Sequence, residues 1–215
     1  MGIKVITTVV KAASSYDLTT LSVVKDELSI TDNSKDASLK RYITSGSAAA
    51  AQYCNRRFQV ETVKDEFWPD RDFYSYPLPG GVNVIQLSRW PVVSAVIVIE
   101  NGITLVDGID YRVDAGNGNL VRLDADLYPR PWCAWPISAQ YDGGFAEIPD
   151  DVADAVIRMV TRRYSVKGRD PNLKQLSVPG VIEQSWWIGT GGDAGNLSPD
   201  IADVLENYRV PVIAV

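Results

Sequence analysis

The spacing of apolar residues changes twice along this chain, and each change restricts the fold that the chain can adopt. Residues 18–58 carry apolar side chains at intervals of three and four, which is typical of amphipathic helices. Residues 59–142 lose that period and are rich in β-branched and aromatic residues punctuated by Gly and Pro. A helical period returns after Pro149. The pattern predicts an α+β protein, in which a small core of about four helices is interrupted by a β-rich antiparallel insertion.

Two helices are predicted within residues 18–58. Thr20 is a suitable N-cap for the first helix, and the second is expected to begin near Ser34 or Asp36. One stripe of the second helix consists of Leu39, Ile43, Gly46, Ala50 and Tyr53. Because part of this stripe is made of small residues, we expect the helix after Pro149 to approach it closely.

The remaining N-terminal residues and the middle of the chain are predicted to be extended. The β-branched content of residues 1–17 favours a strand over a helix. Gly and Asn mark the turns of the middle section, where they can adopt a positive φ. Because residues 95–99 are apolar on both faces, we expect them to form a central strand covered from both sides, in a barrel or sandwich. The predicted strands span residues 60–68, 82–87, 92–100, 104–106, 111–113, 120–123 and 137–141.

The C-terminal part is predicted to contain two more helices. Asp150 or Asp151 can cap the first, which should end by residue 168. A long Gly- and Pro-containing connection follows over residues 170–196, and residues 181–188 within it are expected to form a strand or hairpin arm. Ser198 is the expected N-cap of the last helix, with proline in its first turn.

These patterns divide the chain into three segments. They are an N-terminal arm and helical pair at residues 1–58, a β-rich insertion at 59–145, and C-terminal helices with a loop arm and a tail at 146–215. The tail from residue 209 onwards is apolar, and Pro211 prevents it from continuing the helix. An apolar tail of this kind is expected to dock on another surface.

The composition excludes several kinds of chemistry. There is no histidine, so Ser-His-Asp and Cys-His catalysis and His-ligated zinc are excluded. Cys54 and Cys133 match no metal-binding spacing, and we interpret both as small buried or half-buried apolar residues. Neither a cofactor nor a metal ion is predicted. Lys4 and Lys11 bracket the short apolar run near the N-terminus, so we expect neither a signal peptide nor a membrane span, and we expect synthesis in the cytoplasm.

A formal net charge of −6 argues against tight binding of nucleic acid through clustered basic residues. It is compatible with an acidic wall along which a DNA duplex passes without sticking. The two tight arginine pairs, at residues 56–57 and 162–163, fall near predicted helix C-termini, where positive charge is favoured by the helix dipole. We therefore predict no sequence-specific DNA site.

Other candidate sites have simpler structural interpretations. The glycine-rich residues 189–195 lack the Lys-Ser/Thr pair of a phosphate-binding loop and are interpreted as a linker. The acidic pairs at 124/126 and 150/151 are interpreted as turn and cap residues, and the acidic residues at 65–66 and 70/72 form no calcium-loop pattern. The Trp186–Trp187 pair could stack on bases or sugars, although packing in a core or a subunit interface is favoured.

Several motifs follow one another in a distinctive order. They are LTTLSVVKDELSI at 18–30, SLKRYITSGSAAAAQYCNRRF at 38–58, WPVVS at 90–94, GIDYRVD at 108–114, QYDGG at 140–144, IPDDV at 148–152, and LSP at 197–199 with YRVP at 208–211. Their order and spacing resemble the head-to-tail connector, or adaptor, proteins of long-tailed DNA phages and related gene-transfer particles.

The resemblance implies a structural virion protein and not an enzyme. Such proteins assemble as a ring, commonly of about twelve copies, beneath the portal of a filled head. The ring extends the DNA channel and provides the attachment surface for a tail-completion, or stopper, protein. The expected partners are therefore the portal protein, the stopper protein and further copies of this chain. DNA would pass without sequence-specific binding, no membrane is involved, and the location is the head-tail interface of the virion.

Two surfaces are hypothesised to contact the portal or a neighbouring subunit, the C-terminal tail and the tryptophan-bearing loop. Their residues are Tyr208, Arg209, Val210, Pro211, Val212, Ile213, Trp186 and Trp187. Two other functions remain open at this point. One is a carboxylate-dependent hydrolase, which requires two acids that converge in a cleft, with Asp65, Asp110 or Asp114 as the candidate acids. The other is a carbohydrate- or peptide-binding β domain using Trp132, Trp135, Trp186 and Trp187.

Overall fold

The structure is a computed structural model that describes residues 3–69, 82–166, 175–178, 182–185 and 197–211. These residues form two compact units. The β unit contains the described residues up to Ser15 and those of 57–147, and the helical unit contains those of 16–56 and 148–211. Four helices and antiparallel strands confirm the predicted α+β class.

The β unit contains nine strands among the described residues. They are β1 (Ile3–Lys11), β2 (Glu61–Pro69), β3 (Val84–Gln86), β4 (Ile97–Glu100), β5 (Ile103–Thr104), β6 (Tyr111–Asp114), β7 (Asn119–Leu123), β8 (Pro129–Arg130) and β9 (Ile137–Gly143). The first sheet has the order β1-β2-β9-β4-β5, and the second has the order β3-β7-β6 with β8 also paired to β7. Every pairing is antiparallel.

Side chains from both sheets meet in one hydrophobic core. Alternate residues of β2 point inward, so that Val63 and Phe67 are fully buried beside β9. The second sheet and the loops contribute Ile85, Leu87, Tyr111, Leu120 and Trp132. β1 extends the first sheet by pairing with β2, and the register of this pair places Val5 opposite Phe67 and Val9 opposite Val63.

Two details of the β unit differ from the prediction. Residues 92–96 do not belong to a strand, because the backbone N–H groups of Val92 and Val93 bond to Ala115 and Asp142 instead of continuing a ladder. β4 is therefore shorter than predicted. It is also not covered on both faces, since Ile97 is 55% exposed, and β9 occupies the centre of the sheet. The turn between β4 and β5 is as predicted, with positive φ at Asn101 and Gly102.

The helical unit contains four helices and a short hairpin. The helices are α1 (Leu21–Glu27), α2 (Asp36–Tyr53), α3 (Asp150–Ser165) and α4 (Pro199–Glu206), and the hairpin strands are β10 (Gln175–Val178) and β11 (Ile182–Ser185). The predicted close approach is confirmed at Gly46 on α2, where an added Cβ would lie 3.4 Å from Val156 Cγ1 of α3. The apolar stripe of α2 is buried as predicted, except that Tyr53 is half-buried.

The helix caps combine expected and unexpected features. Thr20 caps α1 and accepts a hydrogen bond from the Val23 N–H, as predicted. The N-cap of α3 is Pro149, so the two aspartates that follow lie in the first turn, where they favour the helix dipole. Ser198 is the N-cap of α4, but its hydroxyl accepts a hydrogen bond from the Arg162 guanidinium on α3 instead of capping the helix.

The two cysteines lie in different environments. Cys54 follows α2 and is fully buried, as predicted, and burial raises the pKa of its thiol to about 11. The interpretation of Cys133 was wrong, because this side chain is exposed on a loop of the β unit. Burial of a cysteine depends on packing that local sequence does not reveal.

Candidate interaction surfaces

The first part of the predicted docking tail is attached to the helical unit itself. The Val210 N–H donates to the Cys54 carbonyl over 2.9 Å, just after the end of α2. The Tyr208 hydroxyl donates to the Asp151 carboxylate at 2.8 Å. The guanidinium of Arg209 lies 5.4 Å from the centre of the Tyr53 ring. Residues 208–210 are thus part of the packing of the unit that contains them.

Tyrosine hydroxyls near this tail are held by acidic groups. Tyr53 donates to Glu206 on α4 over 2.7 Å, and this hydrogen bond, followed by burial, raises the pKa of Tyr53. Burial, followed by the bond to Asp151, raises the pKa of Tyr208. Both hydroxyls therefore stay protonated well above neutral pH and act as donors. Of the other predicted contact residues, Pro211 is exposed, while Val212, Ile213, Trp186 and Trp187 lie outside the described residues.

The arginines at the end of α3 connect helices within the helical unit. Arg162 lies 2.7 Å from the Asp200 carboxylate of α4. Arg163 donates to the Ser45 hydroxyl of α2 at 2.8 Å and lies 4.6 Å from the centre of the Tyr42 ring. Both guanidinium groups are therefore engaged within the fold, where they connect α3 to α4 and to α2.

Asp65 is the most heavily bonded carboxylate among the described residues of the β unit. It is fully buried between the sheets and accepts hydrogen bonds from four donors. These are the hydroxyls of Thr7, Ser88 and Tyr141, each at 2.7 Å, and the Ser88 N–H at 2.8 Å. All of its lone pairs face protein donors, so the carboxylate is a structural acceptor joining β1, β2, β9 and the loop after β3.

The carboxylates proposed for a hydrolase do not form a common site. Asp110 is bonded to the Val106 N–H at 2.9 Å and lies 3.4 Å from Arg122, while Asp114 accepts from the Asn117 side chain at 2.8 Å. Asp124 accepts from the N–H groups of Asp126 and Tyr128, which confirms its assignment to a turn. Within the described ranges, no group of three acidic or cysteine side chains could hold a metal ion. Among the described residues, Asp65, Asp110 and Asp114 are thus each held by separate partners.

Tyr141 provides a test of the buried cluster through pH. Burial, and then the negative charge of Asp65, raise the pKa of Tyr141 above its ordinary value. Tyrosine in the unfolded chain ionises near pH 10. The contribution of Tyr141 to stability is therefore complete below about pH 10, and it is lost as the pH rises towards the pKa of Tyr141 in the folded protein.

We expect the stability advantage of the wild type over Tyr141→Phe to fall above about pH 10, by up to about 1.4 kcal/mol per pH unit. Urea unfolding of both proteins below and above that pH measures the difference. A difference that does not change with pH would contradict the assigned environment of Tyr141.

The tryptophans proposed for ligand stacking are unsuited to it where they are described. Trp132 is fully buried, and its indole N–H donates to the Leu120 carbonyl at 3.3 Å. Trp135 packs against the same core. Trp132 therefore stabilises the β unit, and no described residue supports the stacking site. Among the described helices, none has the length and apolar character needed to cross a membrane.

Two exposed apolar patches lie on opposite edges of the first sheet. The β1 patch consists of Val5, Ile6, Val9 and Val10, and the β5 patch consists of Ile103, Val106 and Ile109. The β-branched character of β1 is evident in the sequence, but its exposure was not predicted. The β5 patch was not predicted either, because apolar residues in short strands give no sign of which face the rest of the chain will cover.

Comparison with known proteins points to one family. Residues 18–76 match the sequence model of a family described as phage gp6-like head-tail connector protein. The predicted family resemblance is confirmed. The match to the connector family covers α1, α2 and β2, and therefore includes the stripe of small residues on α2. No curated protein sequence matches the chain.

A likeness to two chains of solved particle structures extends over nearly the whole chain. One similar chain comes from a structure described as the neck of an empty GTA particle computed with C6 symmetry, with 15% identity, a TM-score of 0.53 and 97% of each chain covered. Another comes from the virion of a native gene transfer agent (GTA) particle, with 14% identity, a TM-score of 0.52 and the same coverage. At these identities the comparison shows a shared fold.

Proposed function

We propose that this protein is a structural head-tail connector of a phage or phage-like particle. In this role, copies of the chain form a ring beneath the portal, extend the DNA channel and provide the surface on which a tail-completion protein assembles. The supporting observation is that a fold likeness to a chain of a particle neck covers 97% of both chains, while residues 18–76 match the connector family independently.

The charge of the protein supports the channel function. A net charge of −6 repels the phosphates of a passing duplex, so DNA can move through the ring without binding to it. The neck that supplies the similar chain was computed with C6 symmetry. A ring of about twelve copies is compatible with a sixfold arrangement, since closed rings repeat one interface around an axis.

The C-terminal tail is the proposed portal-binding element. Residues 208–210 are bonded to the helical unit through Tyr208 and Val210. Because these residues are held within the unit, we propose that the apolar residues that follow Pro211 make the portal contact. Trp186 and Trp187, which come directly after β11, are proposed to contact a neighbouring subunit or the next ring.

The proposed function is tested by particles made without this protein. Full heads that lack tails are expected, because the portal would have no surface on which the tail-completion protein can assemble. Electron microscopy counts tailed and tailless heads, and complementation with the wild-type protein is the control. Normal tails on particles made without the protein would contradict the proposed connector role.

The tail assignment requires a truncation that spares the attached segment. Deleting residues 212–215 keeps the Val210 to Cys54 hydrogen bond, whereas deletion from residue 209 would remove it. We expect the shorter deletion to leave the unfolding transition unchanged and to abolish co-purification with the portal. Tyr208→Phe is the matched control, since it loses a bond within the unit and should still bind. Portal binding by the truncated protein at the wild-type level would reject this role for the tail.

A further inference from the structure

β1 is an unusually open edge strand. It contains nine residues and, within the described part of the chain, pairs on one side with β2 and has no strand on the other. Natural edge strands are commonly short, charged, or interrupted by proline, because an open edge can pair with another chain. β1 has no proline, and its only charges are Lys4 and Lys11 near its two ends.

The side chains of β1 are also more apolar than a solvated edge requires. The four residues of the β1 patch are each 42–55% exposed. Val5 and Val9 lie opposite buried residues of β2, whereas Ile6 lies opposite Glu66 on the other face of the sheet. Apolar surface is therefore exposed on both sides of the strand, which is typical of a surface that a protein partner covers.

The opposite edge of the same sheet has a similar apolar surface. β5 pairs with β4 and, among the described strands, is the last on that side. The three residues of the β5 patch, which begins in β5 and continues into the following turn, are each 53–67% exposed. The two patches are thus separated by the full width of the five-stranded sheet, and they differ in sequence.

The two edges carry opposite charges. Residues 3–11 contain Lys4 and Lys11 and no acidic residue, while residues 103–110 contain Asp107 and Asp110 and no basic residue. Asp110 is engaged with Val106 and Arg122 within the unit. Asp107 is exposed at the surface of the turn. A β1 edge placed against a β5 edge would therefore bring lysine towards aspartate.

This complementarity favours a head-to-tail contact over a symmetric dimer. Pairing β1 with β1 of another copy would place lysines near lysines, and like charges across strands are unfavourable. Two different surfaces on opposite sides of a subunit generate a repeating contact, which closes into a ring when the rotation allows. We infer that the β1 patch of one copy docks on the β5 patch of the next copy, with one of the two end lysines of β1 facing Asp107. The inference rests on the proposed ring.

Cross-linking between copies tests this contact. Val10→Cys and Ile109→Cys are combined in a Cys133→Ser background, which removes the exposed native thiol and keeps the buried Cys54. A short bismaleimide is added to tailed particles and to the purified full chain at high concentration. We expect a ladder of covalent oligomers from the double-cysteine protein and at most dimers from each single-cysteine protein. Val23→Cys with Ile109→Cys is the matched control, because Val23 is similarly exposed on α1, and it should give no ladder.

Charge exchange provides a second test that does not depend on cross-linking. Lys4→Glu with Lys11→Glu, and separately Asp107→Lys, are each expected to lower the yield of tailed particles at least tenfold. The variant that combines all three changes should recover most of that yield, because the charges are then exchanged across the contact. Far-UV circular dichroism confirms that each variant is folded.

The outcomes separate this inference from the connector role. The β1 to β5 contact is wrong if cross-linking of particles that contain the double-cysteine protein gives only monomers. It is also wrong if the triple variant is as defective as its parents. In both cases the connector role stands. Cross-linked dimers without larger oligomers would contradict the β1 to β5 contact and indicate a symmetric contact instead. A full ladder from purified protein, together with normal tails on particles that lack the protein, would support the contact and remove the connector role.

Discussion

Gly144→Ala should destabilise the β unit by about 3 kcal/mol or more, which would be a large effect for the addition of one methyl group. Gly144 follows β9 with φ of +136°, a conformation that L-residues rarely adopt. An added Cβ would also collide with the Gln59 carbonyl and lie 2.8 Å from the Val60 N atom. These are backbone atoms, so a change of side-chain rotamer cannot relieve the collision.

The position explains why the backbone approaches so closely. The chain enters the β unit at Phe58 and leaves it at Phe145, and the Phe145 N–H donates to the Phe58 carbonyl at 2.7 Å. The two rings stack with their centres 5.8 Å apart. A side chain at position 144 would push apart the two ends of the β-rich segment.

Gly102→Ala is the matched control for Gly144→Ala. Gly102 also has a positive φ, of +81°, but an added Cβ there would meet no atom within 4 Å. We expect a cost of about 1 kcal/mol from the backbone conformation alone. Urea unfolding followed by tryptophan fluorescence gives both values, and hydrogen exchange of the β9 amides locates the effect. Equal costs at the two positions would show that the close approach at Gly144 is absent.

Asp65→Asn is expected to cost about 2–4 kcal/mol, because it replaces a buried acceptor with a group that also donates. Whichever way the amide is turned, its NH₂ faces donors that now serve the carboxylate. With the NH₂ group at the Oδ2 position, the Ser88 N–H has no acceptor; at the Oδ1 position, the Thr7 and Ser88 hydroxyls must turn to accept and lose their own acceptor. One buried polar group therefore loses its partner or the cluster rearranges.

Glu66→Gln provides a control at the next position along β2. Glu66 points to the other face of the sheet and lies 3.0 Å from Lys64 in a partly exposed pair. Exposed pairs contribute little, so the change should cost less than about 0.5 kcal/mol. Chemical denaturation of both variants under the same conditions measures the contrast. Similar costs for the two substitutions would show that Asp65 is solvated and does not join the strands.

Several features of the fold were predictable because they depend on residues close together in sequence. Thr20 and Ser198 mark helix starts, and the small residues near Gly46 correctly predicted the approach of α3 to α2. The turn at Asn101 and Gly102 follows from residues that tolerate a positive φ. The inward position of Asp65 also had a signal, since it alternates with Val63 and Phe67 along β2.

Other features could not be read from local pattern. The run that includes Ile97 was predicted to be a central strand, yet it lies second from the edge and exposes Ile97, because strand order is set by pairings between distant segments. The missed strand β8 has two residues and is defined only by its pairing with β7. Cys133 is exposed for the same reason, since nothing in its neighbours encodes which loops pack over it.

The sequence by itself determined the alternation of helical and extended segments, the exclusion of histidine chemistry and the resemblance to connector proteins. Periodicity, composition and motif order are properties of the chain before it folds. The tertiary structure alone decided that β1 and β5 are the two edges of one sheet, and that Val210 is attached to the end of α2. These facts depend on contacts between residues far apart in sequence, whose partners are selected by the packing of the whole unit.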